Sequence, residues 1–148
     1  MIEVLDESAL EEILALEAQG FPPTERWSAE SWLSEFSHGN YVLGYREKDL
    51  LAVASFGRPE GVVDLRTVTV ARNHRRQGIA KTLIRAGARW AAQQGAMRMM
   101  LEVSQVNDGA IALYSRLGFD GLAIRENYYG DGNDALVMEL ALADGVGV

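Results

Sequence analysis

The chain has 148 residues, 48% hydrophobic and 24% charged, with no cysteine and a net charge of −7. A chain of this length buries roughly 70% of its unfolded surface in one core, and the missing thiols exclude a disulfide framework, a thiolate metal site and a covalent cysteine nucleophile. The first twenty residues hold six acidic side chains and no basic one, and no apolar run nears the ~20 residues of a membrane span, so the expectation is a cytoplasmic protein without leader or anchor.

Ser8 and Glu11 stand at capping-box spacing ahead of Leu10, Ile13, Leu14 and Glu17, which predicts a helix over residues 7–18. Phe21-Pro22-Pro23 ends it, and Ser28 offers the N-cap of a short helix carrying Trp32, Leu33 and Phe36. Residues 41–45 and 50–56 are β-rich runs around Arg46-Glu47-Lys48-Asp49, a hairpin pattern. After the turn Arg58-Pro59-Glu60-Gly61 comes a long β-branched strand over 62–70. A polar loop over 71–78 then leads into a helix with Ile79, Leu83, Ile84 and Trp90 that ends near Gly95. Residues 97–103 are apolar enough for a buried strand, and 107–117 are helical up to Gly118. Residues 119–124 and 135–140 make a last strand pair around the glycine-rich 128–133, and the tail 144–148 reads as frayed. No repeat or linker interrupts the chain. The order ααβββαβαββ predicts one α/β domain over 1–148, a mixed central sheet with helices on both faces.

Charge is unevenly placed. Between Leu65 and Leu101 there is no acidic residue but eight basic ones, Arg66, Arg72, Arg75, Arg76, Lys81, Arg85, Arg89 and Arg98, leaving −15 on the remainder. A basic middle in an acidic surround reads either as a localised polyanion site with room for a cationic substrate, or as a solvated helix face. The total charge argues against direct nucleic-acid binding. Within the basic stretch, Arg75-Arg76-Gln77-Gly78-Ile79-Ala80 links a strand to a helix, where unpaired N–H groups and the positive end of the helix dipole can hold a pyrophosphate. Neither the triphosphatase loop G-x-x-x-x-G-K-[ST] nor the dinucleotide fingerprint G-x-G-x-x-G occurs. His38 and His74 have no second ligand at metal spacing, so no metal is expected, and Trp27, Trp32 and Trp90 read as packing residues.

That arginine–glycine segment resembles the R-x-x-G-x-A acetyl-coenzyme A motif of the GNAT acetyltransferases. Leu101-Glu102-Val103, Asn107, Ala112-Leu113-Tyr114 and Leu117-Gly118-Phe119 resemble the second half of that fold. Arg125-Glu126-Asn127-Tyr128-Tyr129 and the segment 134–138 are similar to the RimI type, which acetylates the N-terminal alanine of a small-subunit ribosomal protein. The likeness is close over 62–140 and loose before it. The chain departs from the type at Pro23-Thr24-Glu25-Arg26, four extra residues between Phe-Pro and Trp-Ser, in a shorter loop after Tyr129, and at Ser104, where arginine is frequent.

The resemblance implies a GNAT fold and acetyl-CoA as cosubstrate, with direct attack by the amine in a ternary complex. It implies that backbone groups of Val68, Thr69 and Val70 pair with the pantetheine arm. The loop residues Arg75, Arg76, Gln77, Gly78, Ile79, Ala80 and Lys81 would bind the pyrophosphate, with Asn107 nearby. Glu102, within an apolar run, is the natural base, and burial there would make it one of useful strength; the alternative is a side chain facing solvent. Tyr114 matches the general acid, the alternative being a satisfied core tyrosine, and Val70 N–H matches the oxyanion donor. Tyr128 and Tyr129 would line the peptide entrance, or pack as an aromatic pair. A peptide α-amine, pKa ~8, needs less help to lose its proton than lysine at ~10.4, which is compatible with an N-terminal substrate. The expected partner is a protein N-terminus, a ribosomal protein by resemblance, with neither nucleic acid nor membrane, on a monomer or weak homodimer. A GNAT enzyme acting on a small amine or a lysine, and a noncatalytic acyl-CoA-binding module, remain open.

Overall fold

A computed structural model describes residues 1–20, 26–57, 59–130 and 132–142. The helix stop expected at Phe21-Pro22-Pro23, most of the extra segment before Trp27 and the tail 144–148 lie outside them. In chain order the elements are β1 (Ile2–Val4), α1 (Leu10–Gly20), α2 (Ala29–Ser37), β2 (Tyr41–Arg46), β3 (Leu50–Phe56) and β4 (Val62–Val70). Then follow α3 (Ile79–Gln93), β5 (Arg98–Ser104), α4 (Asp108–Arg116), β6 (Asp120–Arg125) and β7 (Ala135–Ala141). The strands form a seven-stranded mixed sheet in the order β1-β2-β3-β4-β5-β7-β6. Among the described residues no helix is long and apolar enough to cross a membrane.

Two local expectations are corrected. The cap of the first helical segment is Asp6, whose Oδ1 accepts the Ser8 N–H at 2.9 Å, so Ser8 is capped instead of capping, and a 3₁₀ turn, Glu7–Ala9, precedes α1. The strand β1 was not expected: it has three residues, too few for a periodicity to show, and exists by pairing Ile2 with Tyr45 and Val4 with Leu43. Arg46 fastens it, reaching Glu3 at 2.7 Å and Glu12 of α1 at 2.8 Å.

The described residues fall into two compact units, one of Met1–Arg58 with Leu65–Gly87 and one of Pro59–Asp64 with Ala88–Val148. In the first, β1 to β4 form an antiparallel meander. Phe56 and Ser55 alternate across β3. Phe56 is fully buried against Gly87 of α3, whereas the Ser55 hydroxyl donates to Glu35 of α2 at 2.6 Å, so α2 and α3 cover opposite faces. The core between α1, α2 and the sheet gathers Leu5, Ile13, Leu16, Trp32, Val42 and Val53. Within it Glu17, 2% exposed, accepts the Trp32 indole N–H at 2.8 Å, and Trp27 lies 4.8 Å from the Trp32 ring. The Ser28 cap of α2 is as expected, its side chain accepting the Ser31 N–H at 3.0 Å.

Register slips once between β3 and β4: Ser55 faces Thr67, but Phe56 faces Leu65. Arg66 is therefore a bulged residue, turned to the same side as Ser55. Its Nε donates to both Glu35 oxygens, at 2.8 and 2.9 Å.

In the second unit, the start of β4 pairs in parallel with β5, Val62 with Arg98 to Asp64 with Met100. β5 then pairs antiparallel with β7, and β7 with the edge strand β6. The strand expected over 97–103 is present as β5, and its burial alternates. Met99, Leu101 and Val103 are buried, but Met97, Arg98 and Glu102 are exposed, so β5 covers its core with one face only.

Two outcomes test this packing. A Cβ on Gly87 would lie 2.1 Å from the Phe56 ring, and Gly87→Ala is expected to lower stability by about 3 kcal/mol in denaturant unfolding. Burial raises the Glu17 pKa above its ordinary value of 4.5, against the lowering effect of its hydrogen bonds from Trp32 and Trp27. Its folded pKa thus exceeds its unfolded one, so its contribution is complete below pH 4.5 and declines as pH rises through the folded value. Glu17→Gln keeps an acceptor for Trp32 and should remove that slope, read as the change in Tm between pH 4 and pH 7.

Candidate active site

One group of predicted residues lies wholly in the first unit, where β4 runs into α3. Beyond Asp64, β4 pairs only with β3. Ala71 N–H donates to Leu51 O at 2.7 Å, and Ala52 faces Val70, so Val70 sits in a non-hydrogen-bonded pair. By the alternation of antiparallel ladders, Thr69 spends its backbone groups on Val53, while those of Val68 and Val70 face the free edge. Arg75 Nε takes one of them, donating to Val70 O at 3.2 Å. Of the three predicted pantetheine contacts, Val68 and Val70 thus present backbone groups and Thr69 does not. Thr69 instead holds a buried Oγ1 without a hydrogen-bond partner, as His74 holds a buried Nδ1.

After the 3₁₀ turn Arg72–His74, Arg75 is extended, Arg76 has φ 63° and Gly78 φ 80°. Left-handed backbone at these two positions is the kind of turn from which an anion-binding concavity can be built. Among the described residues, the N–H groups of residues 78–81 donate to no backbone carbonyl outside the helix, and the first turn of α3 carries no acid. The Gly78 carbonyl closes the helix start, accepting Thr82 N–H at 3.0 Å and Thr82 Oγ1 at 2.9 Å. Buried Ile79 anchors the turn, and Arg76, Gln77 and Lys81 stay exposed at its rim. The rest of the basic stretch is partly committed elsewhere: Arg66 pairs with Glu35 and Arg98 with Glu139. What remains is a helix N-terminus edged with cations, suited to a pyrophosphate. No atom lies within 4 Å of a Cβ built on Gly78, so Gly78→Ala tests the backbone alone. It should cost about 1–2 kcal/mol of stability by equilibrium unfolding.

A second group gathers in the second unit. Glu102 projects from the exposed side of β5, its side chain 30% accessible, which corrects the expected burial. Arg125 Nη1 approaches it at 3.1 Å. Tyr129 donates its hydroxyl to the Glu102 carbonyl at 3.1 Å, and its ring meets that of Tyr128 edge-on at 5.0 Å. The described residues around both tyrosines are tied by side-chain hydrogen bonds. Asn127, at φ 54°, donates its N–H to Asp134 at 2.8 Å and accepts from Gly132 at 2.8 Å, while Ser104 donates to Asn133 at 2.7 Å.

Tyr114 comes from α4, whose N-cap is Asn107, its Oδ1 accepting the Ala110 N–H at 3.1 Å. That bond leaves the Asn107 amide NH₂ as the end available to a ligand. Tyr114 is buried, edge-on to Phe119 at 5.9 Å, and its pKa is pushed up to about 12, by burial first and then by Tyr129. Burial also raises Tyr129, with Tyr128 and Glu102 adding to it. Through Tyr129, the two predicted catalytic side chains therefore share one electrostatic neighbourhood. The sequence assigned no role to Arg125, Ser104, Asn127 or Asn133. No local signal could have found Arg125, since its face relative to Glu102 follows from the pairing of β6 with β7 and β7 with β5.

The Acetyltransferase (GNAT) family model matches residues 7–119. The chain is 32% identical over 132 residues, 85% of each sequence, to the [ribosomal protein bS18]-alanine N-acetyltransferase of Escherichia coli K12. The crystal structure of the ribosomal-protein-S18-alanine N-acetyltransferase from Escherichia coli superposes with a TM-score of 0.84 at 26% identity, over 97% of this chain and 94% of that one. An aminoglycoside 6'-N-acetyltransferase solved with coenzyme A shares the fold, with a TM-score of 0.83 at 14% identity over 97% of both chains. A motif-bearing strand–loop–helix, a mixed seven-stranded sheet and a family match running through both units place this chain in the GNAT acetyltransferase family.

Proposed function

We propose that the chain is an N-α-acetyltransferase, one domain over 1–148, that transfers acetyl from acetyl-CoA to the N-terminal amine of a protein. The observation that carries this reading is the Glu102–Tyr129–Tyr114 cluster in a chain 32% identical to a bS18-alanine N-acetyltransferase. An alanine-initiated ribosomal protein is the corresponding substrate, and the cysteine-free chain suits the cytosol. Bound acetyl-CoA supplies an acetyl carbonyl activated as a thioester.

The backbone amides of residues 75–81 hold its phosphates, the free-edge backbone groups of Val68 and Val70 its pantetheine arm, and the Asn107 amide adds a donor. The Val70 N–H, turned to the free edge, is the donor for the developing oxyanion. Glu102 accepts the proton that the acceptor amine must lose as its C–N bond forms. Its partial exposure lets that proton pass on to water.

Tyr114 donates toward the departing sulfur. At about 12 its pKa lies ~3.5 above a thiol at ~8.5, so full transfer to a free thiolate is uphill by ~5 kcal/mol. The buried phenol therefore acts as a hydrogen-bond donor, neutral throughout the working pH range, and coenzyme A leaves as the thiolate when the C–S bond breaks, taking its proton from solvent water.

Two outcomes follow for thiol release from acetyl-CoA with an Ala-initiated peptide. Glu102→Gln should lower kcat/KM ~100-fold at pH 7, the loss shrinking at higher pH as more of the amine is neutral. Tyr114→Phe should lose ~10-fold, the scale of one hydrogen bond, with no new inflection between pH 6 and pH 9. Unchanged turnover in both variants would refute the roles given to Glu102 and Tyr114, and acetyl-CoA binding without turnover in the wild type would leave a noncatalytic acyl-CoA-binding module. Turnover of a lysine peptide or of spermidine above the Ala-initiated peptide would favour the small-amine or lysine reading.

A further inference from the structure

The place where an acceptor ammonium would meet Glu102 already holds a cation from the chain itself. On β7, Val137 lies opposite Glu102, and on β6 Ala123 lies opposite Val137 and Arg125 opposite Ala135. The short side chains of Ala123 and Ala135 leave room for Arg125 to cross β7. Its Nη1 reaches Glu102 at 3.1 Å, and its Cζ stands 4.6 Å over the centre of the Tyr128 ring. A carboxylate and an aromatic face together form a cation subsite. The two charged side chains keep 54% and 30% of their accessibility, so the pair is weak and readily exchanged for an incoming cation.

Resting on the reading of Glu102 as the base, we propose that Arg125 is a specificity-determining residue: it occupies the acceptor-amine position and, when displaced, binds the carbonyl next to that amine. A guanidinium offers a planar fork of donors, and Tyr128 keeps it close after Glu102 is released. The α-amine of a peptide carries its own carbonyl one carbon away and so meets both groups. A polyamine offers no acceptor and brings a second positive charge toward the guanidinium. The site therefore favours peptide N-termini over polyamines partly by repulsion, a discrimination that neither the base nor the phosphate loop supplies.

The test measures kcat/KM and calorimetric binding for an Ala-initiated tetrapeptide and for spermidine. The proteins, all loaded with coenzyme A for the binding arm, are wild type, Arg125→Met and Arg125→Lys. Arg125→Met should shift the peptide-to-spermidine ratio ~10-fold or more toward spermidine in both readouts. Arg125→Lys keeps the charge and should retain the discrimination against spermidine while weakening the peptide. Arg125 is exposed, so folding is not at stake, and an unchanged Tm confirms it. Glu102→Gln, run in parallel, isolates the underlying reading: undiminished turnover there refutes the base assignment, whereas the effect of Arg125→Met on the binding ratio is read with Glu102 intact and is judged separately. A ratio unchanged by Arg125→Met, or no binding of either amine to any of the three proteins, overturns the proposal.

Discussion

Backbone hydrogen bonding along β4 is the constraint on which the cofactor side of this protein depends. The strand satisfies its first residues with β5 and everything after Asp64 with β3 alone, so every second residue beyond that point presents its amide and carbonyl to a free edge. A free edge inside a protein is a liability unless something pairs with it, and an extended, amide-bearing pantetheine arm is such a partner. The bulge at Arg66 belongs to the same economy. An extra residue in β4 kinks the strand, and the displaced side chain is secured by Glu35, itself held by Ser55.

Two buried carboxylates support this frame by different means. Glu35 is compensated by a cation and a hydroxyl. Glu17 accepts an indole N–H from Trp32 and a backbone N–H from Trp27, and burial raises its pKa. Both join helices to their surroundings where an apolar contact would serve for adhesion but would not select one orientation. Glu17 links α1 to the start of α2, and Glu35 links α2 to the β4 bulge. The acidic side chains here specify position more than they add stability.

The catalytic group depends on contrast between neighbours. Tyr114 is enclosed, its pKa pushed up to about 12, whereas Glu102 lies half-exposed on its strand beside Arg125. Tyr129 stands between them, bound to the Glu102 backbone and electrostatically coupled to both. Hydrogen bonds among Asn127, Gly132, Asn133 and Asp134 hold the described residues beside it.

Much of this was determined by the sequence itself, because it is local. Apolar periodicity set α3 and β4, Ser28 set the start of α2, and Gly78 after two arginines set a helix N-terminus free to take an anion. Glu102, Asn107 and Tyr114 were singled out by the resemblance to the GNAT acetyltransferases. What local signals do not carry is which strand lies beside which, and in what register. That pairing made a strand of Ile2–Val4, turned the backbone of Thr69 inward and those of Val68 and Val70 outward, and placed Glu102 on the open face of β5. It also brought Arg125 across β7 to the carboxylate. Each of these depends on hydrogen bonds between residues far apart in the chain. A shift of one residue in register would reverse every one of those faces, and only the packed sheet decides it.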